Sequence, residues 1–217
     1  MHVLLTAGPT YEPLDPVRFI GNRSTGKMGY ALAAAFAAAG AEVTLVSGPT
    51  ALPAPIDVRI RTVRVETAQQ MYDAAAAVAP AADVWVFAAA VADYRPAEVA
   101  AEKIKKQGDT LTLQLVKNVD IAATLGQQKR PEQFSVGFAL ETTNELAHAQ
   151  DKLHRKRFDL VVLNSLRDAG AGFGHDTNKV SVLDAAGQVL TFDLQAKTEL
   201  ARHLVQLILT RHAATYA

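Results

Sequence analysis

Val84-Trp85-Val86-Phe87-Ala88-Ala89-Ala90-Val91-Ala92-Asp93-Tyr94-Arg95-Pro96 opens with four large apolar residues and then turns small and polar. A short unbroken apolar run of this kind reads as a strand buried on both faces, the pattern of a parallel sheet covered by helices on either side. The residues after Phe87 then stand at the strand's carboxyl end, where open α/β sheets bind ligands. Small residues let backbone amides face a bound molecule there, and Asp93 can accept from a hydroxyl or amide. A tightly packed strand end with a surface aspartate accounts for the same residues.

Toward the N-terminus the order is regular. Val3-Leu4-Leu5-Thr6 reads as a buried strand, closed by the turn Ala7-Gly8-Pro9-Thr10. An alanine-rich helix is expected from about Thr25 to Ala39, with Met28, Leu32, Ala35, Phe36 and Ala39 at helical spacing and Gly40 ending it. Val43 to Val46 is a second strand and Val58 to Val65 a third. Thr67 caps a helix through Met71, Ala75 and Val78. Strand, helix, strand, strand, helix, strand is the first half of a doubly wound, Rossmann-like, mostly parallel sheet. After Ala90 the pattern breaks. Tyr94 to Gly108 is polar and lysine-bearing, and Leu111 to Val116 alternates as a strand. Asp120 to Leu125 suggests a short helix, Phe134 to Phe138 a strand, and a helix from about Asn144 carries Leu146, Ala149 and Leu153. Leu160 to Leu163 is a strand. Val180 to Leu183 and Val189 to Phe192 form a hairpin about the turn Asp184-Ala185-Ala186-Gly187. The last helix sets Leu200, Leu204, Leu207 and Ile208 on one face. With no internal repeat or linker, residues 1–217 read as a single α/β domain with an inserted or appended β subdomain.

The 217 residues suffice for one sizeable core. Lysine plus arginine equal aspartate plus glutamate at 22 each, and a net charge of zero argues against a general nucleic-acid binder. The absence of cysteine excludes disulfides, thiolate catalysis and cysteine-ligated metal. No apolar run approaches the ~20 residues of a membrane span. Met1-His2 leads straight into a strand with no signal peptide, so a cytoplasmic protein is expected.

The richest polar stretch is Asp15-Pro16-Val17-Arg18-Phe19-Ile20-Gly21-Asn22-Arg23-Ser24-Thr25-Gly26-Lys27-Met28-Gly29, at the crossing from first strand to first helix. Unpaired amides and a partial positive charge at a helix start suit an anion such as a phosphate. Ser24 or Thr25 can cap the helix, and Gly26 and Gly29 let a ligand approach the backbone. A well-capped helix with a solvated basic turn is the plainer reading. Gly21 to Lys27 fits the first seven positions of a P-loop, but Met28 stands where the magnesium-holding Ser or Thr belongs, so an ordinary P-loop is rejected. The dinucleotide fingerprint is also missing: Ala7-Gly8-Pro9-Thr10 lacks the glycine spacing, and Ser47-Gly48 replaces the acidic residue after the second strand. Gly170-Ala171-Gly172-Phe173-Gly174 reads as a flexible turn, and the six histidines show no paired metal-ligand spacing. Glu102-Lys103-Ile104-Lys105-Lys106 is either a solvated charge run or a mobile basic flap over an anion. Lys152 and Lys156 share a helix face, as solvated pairs often do.

Together these stretches resemble the phosphopantothenate–cysteine ligase family, the synthetase half of bacterial bifunctional coenzyme A proteins. The resemblance is carried by Thr6 to Arg18, Gly21 to Gly29, Ala89 to Pro96, Lys103 to Lys106, Lys117-Asn118-Val119-Asp120-Ile121, Val136 to Thr142 and Phe173 to Asn178, and runs nearly end to end. The family usually has proline where Val119 stands. The flavin-dependent decarboxylase half that precedes this domain in many bacteria is not in the sequence.

The resemblance implies a ligase that joins 4′-phosphopantothenate to the amino group of cysteine through an acyl-cytidylate. CTP is the co-substrate, yielding CMP and pyrophosphate, and Mg2+ accompanies it. It implies that Asn22 hydrogen-bonds the reacting acyl group and that Lys103, in the flap, acts in aminolysis and binds nucleotide. Ala89, Ala90 and Asp93 hold the pantothenate portion, with Asp93 also on the nucleotide side. Ser24, Gly26 and Gly29 lie under the nucleotide phosphates. Asn118, Val119, Asp120, Ile121, Phe138, Lys152 and Lys156 form the cytidine side, with Asn164 added. The lysine pair points to the CTP-using branch. The resemblance further implies a homodimer, built with the small β subdomain or flap, in which Arg18 reaches the substrate phosphate of the neighbouring subunit. A Rossmann-type oxidoreductase or flavin binder and a non-catalytic nucleotide-binding module are the competing readings.

Overall fold

The computed structural model describes residues 1–106, 108–141, 144–165, 172 and 174–216. Thr142 and, within the glycine-rich segment, Gly170, Ala171 and Phe173 lie outside the described residues. The chain runs β1 (His2–Ala7), β2 (Tyr11–Pro13), β3 (Phe19–Gly21), α1 (Lys27–Ala38), β4 (Glu42–Ser47), β5 (Ile60–Arg64), α2 (Ala68–Val78), β6 (Val84–Phe87), β7 (Tyr94–Pro96) and β8 (Leu115–Lys117). It continues with α3 (Ile121–Gly126), β9 (Phe134–Glu141), α4 (Glu145–Arg155), β10 (Leu160–Ser165), β11 (Thr177–Asp184), β12 (Val189–Ala196) and α5 (Lys197–Tyr216). Eight strands form one sheet in the order β12-β11-β10-β9-β6-β1-β4-β5. From β5 to β10 all neighbours are parallel, and the β11–β12 hairpin closes one edge antiparallel. The six parallel strands, read in chain order, follow the doubly wound sequence 3-2-1-4-5-6.

Every residue of β6 is buried, and its alternation divides the core. Val84 and Val86 face the cluster built with Leu32 and Phe36 of α1 and Leu200, Leu204 and Ile208 of α5. Trp85 and Phe87 face the opposite cluster, with Met71 and Ala75 of α2, Ile121 and Leu125 of α3 and Leu153 of α4. A strand sandwiched this way needs apolar side chains at every position. The Trp85 indole N–H, 1% exposed with its residue, is satisfied by the Ala79 carbonyl at 3.1 Å.

Several sequence expectations change. Helix α1 is not capped by Ser24 or Thr25. Its cap residue is Gly26 at φ 80°, with no side-chain cap bond. The chain enters the helix through a left-handed residue, a conformation glycine adopts without steric cost. The Ser24 hydroxyl instead accepts from the Gly26 N–H at 3.4 Å, and the Thr25 carbonyl accepts from the Thr50 hydroxyl at 2.8 Å. By contrast, Thr67 caps α2 in a full capping box with Gln70. The alternating stretch from Leu111 is strand only over Leu115–Lys117, paired with β7. No layer covers the rest, and Leu111 is 58% exposed. Leu146 is likewise exposed, while Ala149 and Leu153 of α4 are buried. The C-terminal hairpin belongs to the main sheet. The small separate β pieces are β2–β3 and β7–β8. Among the described residues no helix is long and apolar enough to cross a membrane.

Candidate active site

The strand order reverses between β1 and β6, so the loops leaving their carboxyl ends part and open a crevice. The two loops are laced at its base. Ala90 N–H donates to the Gly8 carbonyl at 2.9 Å, Thr10 N–H to the Ala90 carbonyl at 3.3 Å, and Ala92 N–H to the buried Thr10 hydroxyl at 2.9 Å. Above this lacing lies a cavity of about 820 Å³. Its wall includes Asn22, Ser24, Gly26, Gly29, Ala89, Ala90, Asp93, Asn118, Val119, Asp120, Ile121, Phe138, Lys152, Lys156 and Asn164. The fold thus collects side chains from the α1 crossing, the loop after β6, the start of α3, strands β9 and β10, and α4.

Asn22 joins two of these pieces. Its side-chain Nδ2 donates to the Ala90 carbonyl at 2.9 Å and the Val91 carbonyl at 3.2 Å, so Oδ1 is left to accept. Gly29 sits where α1 crosses β1. A Cβ there would stand 2.4 Å from the Ala7 Cβ, so the glycine is required by the helix–strand approach as well as lining the cavity.

At the α3 end, Asp120 caps the helix by accepting from Ala123 N–H at 3.1 Å and also accepts from Lys156 Nζ at 2.9 Å. Burial pushes the Asp120 carboxyl up, but the Lys156 and Ala123 hydrogen bonds, with the charges of Lys156 and Arg155, hold it below its ordinary value. The cap forms with valine, not proline, at 119. The Asn118 side chain donates to the Ala92 carbonyl at 2.8 Å and accepts from Arg95 at 3.2 Å, tying this edge to the β6 loop.

The opposite end is also cationic. Lys27 pairs with Asp176 at 2.7 Å, and that pairing holds the Asp176 carboxyl below its usual range. Lys197, which opens α5, is 7% exposed and donates to the Gly172 and His175 carbonyls at 3.0 and 2.5 Å. Burial lowers its pKa, repulsion from Lys27 lowers it further, and Asp176 opposes both. Asn178, 1% exposed, donates to Asn164 Oδ1 at 3.1 Å and accepts from Gly172 N–H at 3.3 Å. Lys27, Lys197, Asn178 and Arg155 all line the cavity and were not singled out as site residues from sequence. Asn178 closes one of the resembling motifs, so that motif was its signal. Lys197 had none, because a lysine opening a helix after a hairpin looks solvated until the sheet order is known.

Arg18 and Lys103 do not line this cavity. The Arg18 guanidinium holds Asp15 through Nε at 2.9 Å and Nη2 at 2.5 Å, and Nη2 also donates to the Ile104 carbonyl at 2.9 Å. That contact keeps the Asp15 carboxyl far below the usual carboxylate range. Lys103, Lys105 and Lys106 are exposed. Among the described residues no group of three or more His, Asp or Glu side chains could hold a metal ion.

This chain matches the model of the DNA/pantothenate metabolism flavoprotein C-terminal domain over residues 1–211. It is 47% identical over 208 residues to a cysteine/cysteine sulfinic acid decarboxylase from an unknown prokaryotic organism, covering 96% of this chain and 58% of that protein. It is 43% identical over 210 residues to the coenzyme A biosynthesis bifunctional protein CoaBC of Vibrio vulnificus, covering 96% of this chain and 52% of that protein. The chain therefore spans about half the length of the curated relatives it matches. The crystal structure of the C-terminal domain of a coenzyme A biosynthesis bifunctional protein CoaBC superposes with a TM-score of 0.80 at 42% identity, covering 95% of this chain and 93% of that one. On these matches the chain belongs to the family of DNA/pantothenate metabolism flavoprotein C-terminal domains.

Proposed function

We propose that residues 1–217 act as one phosphopantothenate–cysteine ligase domain in coenzyme A biosynthesis. The relatives named for coenzyme A biosynthesis support this reading. The relative named for a decarboxylase matches over 58% of its own length, so its name does not assign that activity to this half. One observation carries the proposal. A single cavity at the switch point collects the helix-start loop, the small-residue loop after β6 and a lysine-bearing wall, enough to hold two anionic reactants side by side.

The chemistry needs two steps. A carboxylate oxygen of 4′-phosphopantothenate attacks the α-phosphorus of CTP; the new P–O bond forms as the α–β bridge breaks, and pyrophosphate leaves. The cysteine amine then attacks the acyl carbon, CMP departs with the bridging oxygen, and the nitrogen loses a proton. Positive groups at the start of α1, with Lys27 and Lys197, would balance the phosphates. Ser24, Gly26 and Gly29 would lie beneath them. Ala89, Ala90 and Asp93 would hold the pantothenate arm. Asn118 to Ile121, Phe138, Lys152, Lys156 and Asn164 would receive the cytidine side. Asn22, fixed between the α1 crossing and the β6 loop, would serve the second step. Lys103 would close over the intermediate and exclude water from it. The described residues build no carboxylate cage, and magnesium would arrive on the nucleotide phosphates, as this ion commonly does.

A homodimer fits the position of Arg18. It is outside its own chain's cavity and stands beside exposed Val17 and Phe19, 61% and 50% exposed. The partner's substrate phosphate is its proposed target. Mixing inactive Arg18→Ala and Asn22→Asp proteins should restore part of the activity, because one site of a mixed dimer keeps its own Asn22 and receives Arg18 from the other chain. No recovery would remove Arg18 from the neighbouring site.

The deciding experiment is a single-turnover assay without cysteine. Stoichiometric pyrophosphate release requiring both CTP and phosphopantothenate is expected, followed by CMP on addition of cysteine. Nucleotide binding without pyrophosphate release would favour a non-catalytic module. Release with ATP but not CTP would overturn the nucleotide assignment.

A further inference from the structure

Asp15 stands away from the cavity, is 2% exposed, and accepts five hydrogen bonds. Oδ1 takes the N–H groups of Val17 and Arg18, both at 2.9 Å, which is all a turn-forming aspartate requires. Oδ2 does something else. It takes Arg18 Nε and Nη2 and, from 89 residues along the chain, the Ile104 N–H at 3.1 Å. The Ile104 carbonyl accepts from the same Arg18 Nη2. One peptide unit of the lysine run is thus gripped at its N–H by Asp15 and at its carbonyl by the arginine that Asp15 holds. Four residues earlier, Ala100 N–H donates to the Leu14 carbonyl at 3.0 Å.

We propose that Asp15 is a positioning residue for the ligase reaction: through Ile104 it fixes where the Lys103–Lys106 segment stands and so where Lys103 reaches. The inference rests on the role given above to Lys103. Residues 103–106 belong to no helix or strand, and their three lysines are exposed. Such a segment has little buried surface to place it, and its cations repel one another and Arg18. A buried carboxylate beneath them supplies both the anchor and the opposing charge. Each carboxylate oxygen is met only by donors, so replacing either with an amide NH2 sets donor against donor.

Three variants test this: Asp15→Asn, Ile104→Pro, which deletes the gripped N–H and also fixes φ at 104 and restricts Lys103 to extended backbone, and Ile104→Ala, which keeps the N–H. Hydrogen exchange on the unliganded protein reads the grip, and the two-step assay reads its consequence. Asp15→Asn should raise exchange across residues 100–106 by about tenfold or more. At saturating 4′-phosphopantothenate, which offsets any loosening of Arg18 in Asp15→Asn, pyrophosphate release by Asp15→Asn and Ile104→Pro should stay within about twofold of the parent, while CMP release after cysteine slows about tenfold or more, as in Lys103→Gln. Ile104→Ala should behave as the parent. A merely structural role would slow both steps together, and that result overturns the proposal. So does unchanged exchange in a folded Asp15→Asn protein, or parental aminolysis by Asp15→Asn and Ile104→Pro alongside a slow Lys103→Gln. If Asp15→Asn does not fold, Ile104→Pro against Ile104→Ala decides alone. Parental turnover by Lys103→Gln would bring down the role of Lys103, and this inference with it.

Discussion

Gly29→Ala puts a methyl group where α1 crosses β1. The added Cβ would stand 2.4 Å from the Ala7 Cβ, 3.2 Å from the Ala7 Cα and 3.5 Å from Leu5 Cδ2. Nonbonded carbons settle at about 3.5–4.0 Å, so the helix start must retreat from the strand by roughly 1 Å or more. Ala7 and Leu5 are both 0% exposed backbone-anchored neighbours in the sheet, so neither yields easily. Overpacking of this kind costs about 1–3 kcal/mol, and the better helix propensity of alanine returns up to about 1 kcal/mol. The net loss should be about 1–2 kcal/mol. For a chain of this length that lowers Tm by about 2–8 °C. Calorimetry or circular dichroism melts measure it. The double variant Ala7→Gly/Gly29→Ala removes the 2.4 Å clash, so its stability should exceed the sum of the single effects by about 0.5–3 kcal/mol. Nucleotide affinity should weaken in the single variant, because the displaced turn is the edge proposed to lie beneath the nucleotide phosphates. A Gly29→Ala protein as stable as its parent, or strict additivity with Ala7→Gly, would refute the close-approach argument.

Asn22→Asp sets an oxygen against the Ala90 and Val91 carbonyls that now accept from Nδ2; overall turnover should fall steeply with CTP affinity nearly intact, and an equal loss of affinity would count against the role in aminolysis. The Asp120 carboxyl is lowered from its ordinary 3.8, so its contribution to stability is complete above that pH and is lost as the pH falls through the lower folded value; Lys156→Met should flatten that acid dependence in denaturant titrations. Lys197 has the opposite sign. Its folded pKa is below its ordinary 10.5, so the unfolded chain binds more protons over the interval between them and stability rises with pH there. Lys197→Met should abolish that alkaline rise and, by stranding the Gly172 and His175 carbonyls, lower stability at neutral pH by about 1–3 kcal/mol in urea unfolding.

The sheet was legible in the sequence wherever burial on both faces left a period-free apolar run. Val84 to Phe87 is one such run, and it separates the two halves of the core. The cavity's wall was legible where short motifs sit at strand ends, as at Asn22 and Asp93. What was hidden depends on elements meeting across the sheet. Leu111 to Gln114 alternates as a strand should, but alternation cannot reveal that no layer lies above it. Ser24 and Thr25 are good capping residues by composition, yet the left-handed turn at Gly26 takes the cap position from both. Lys197 enters the site only because α5 folds back beside α1, a contact between residues far apart in the chain.

That return of α5 has a consequence for how the molecule is made. Synthesis runs from N- to C-terminus, so the loops flanking β1 and β6 emerge while Asn178 and Lys197 are still unsynthesised. Helix α1 already lies over β1 and β4, so what waits for α5 is the rest of that face, where Val86 of β6, Val136 of β9 and Val162 of β10 share a core cluster with Leu200, Leu204 and Ile208. An anionic metabolite that needs both cationic ends of the cavity gains its full grip only after Lys197 has been made and α5 has docked, and so can reward that docking but cannot assist the steps before it.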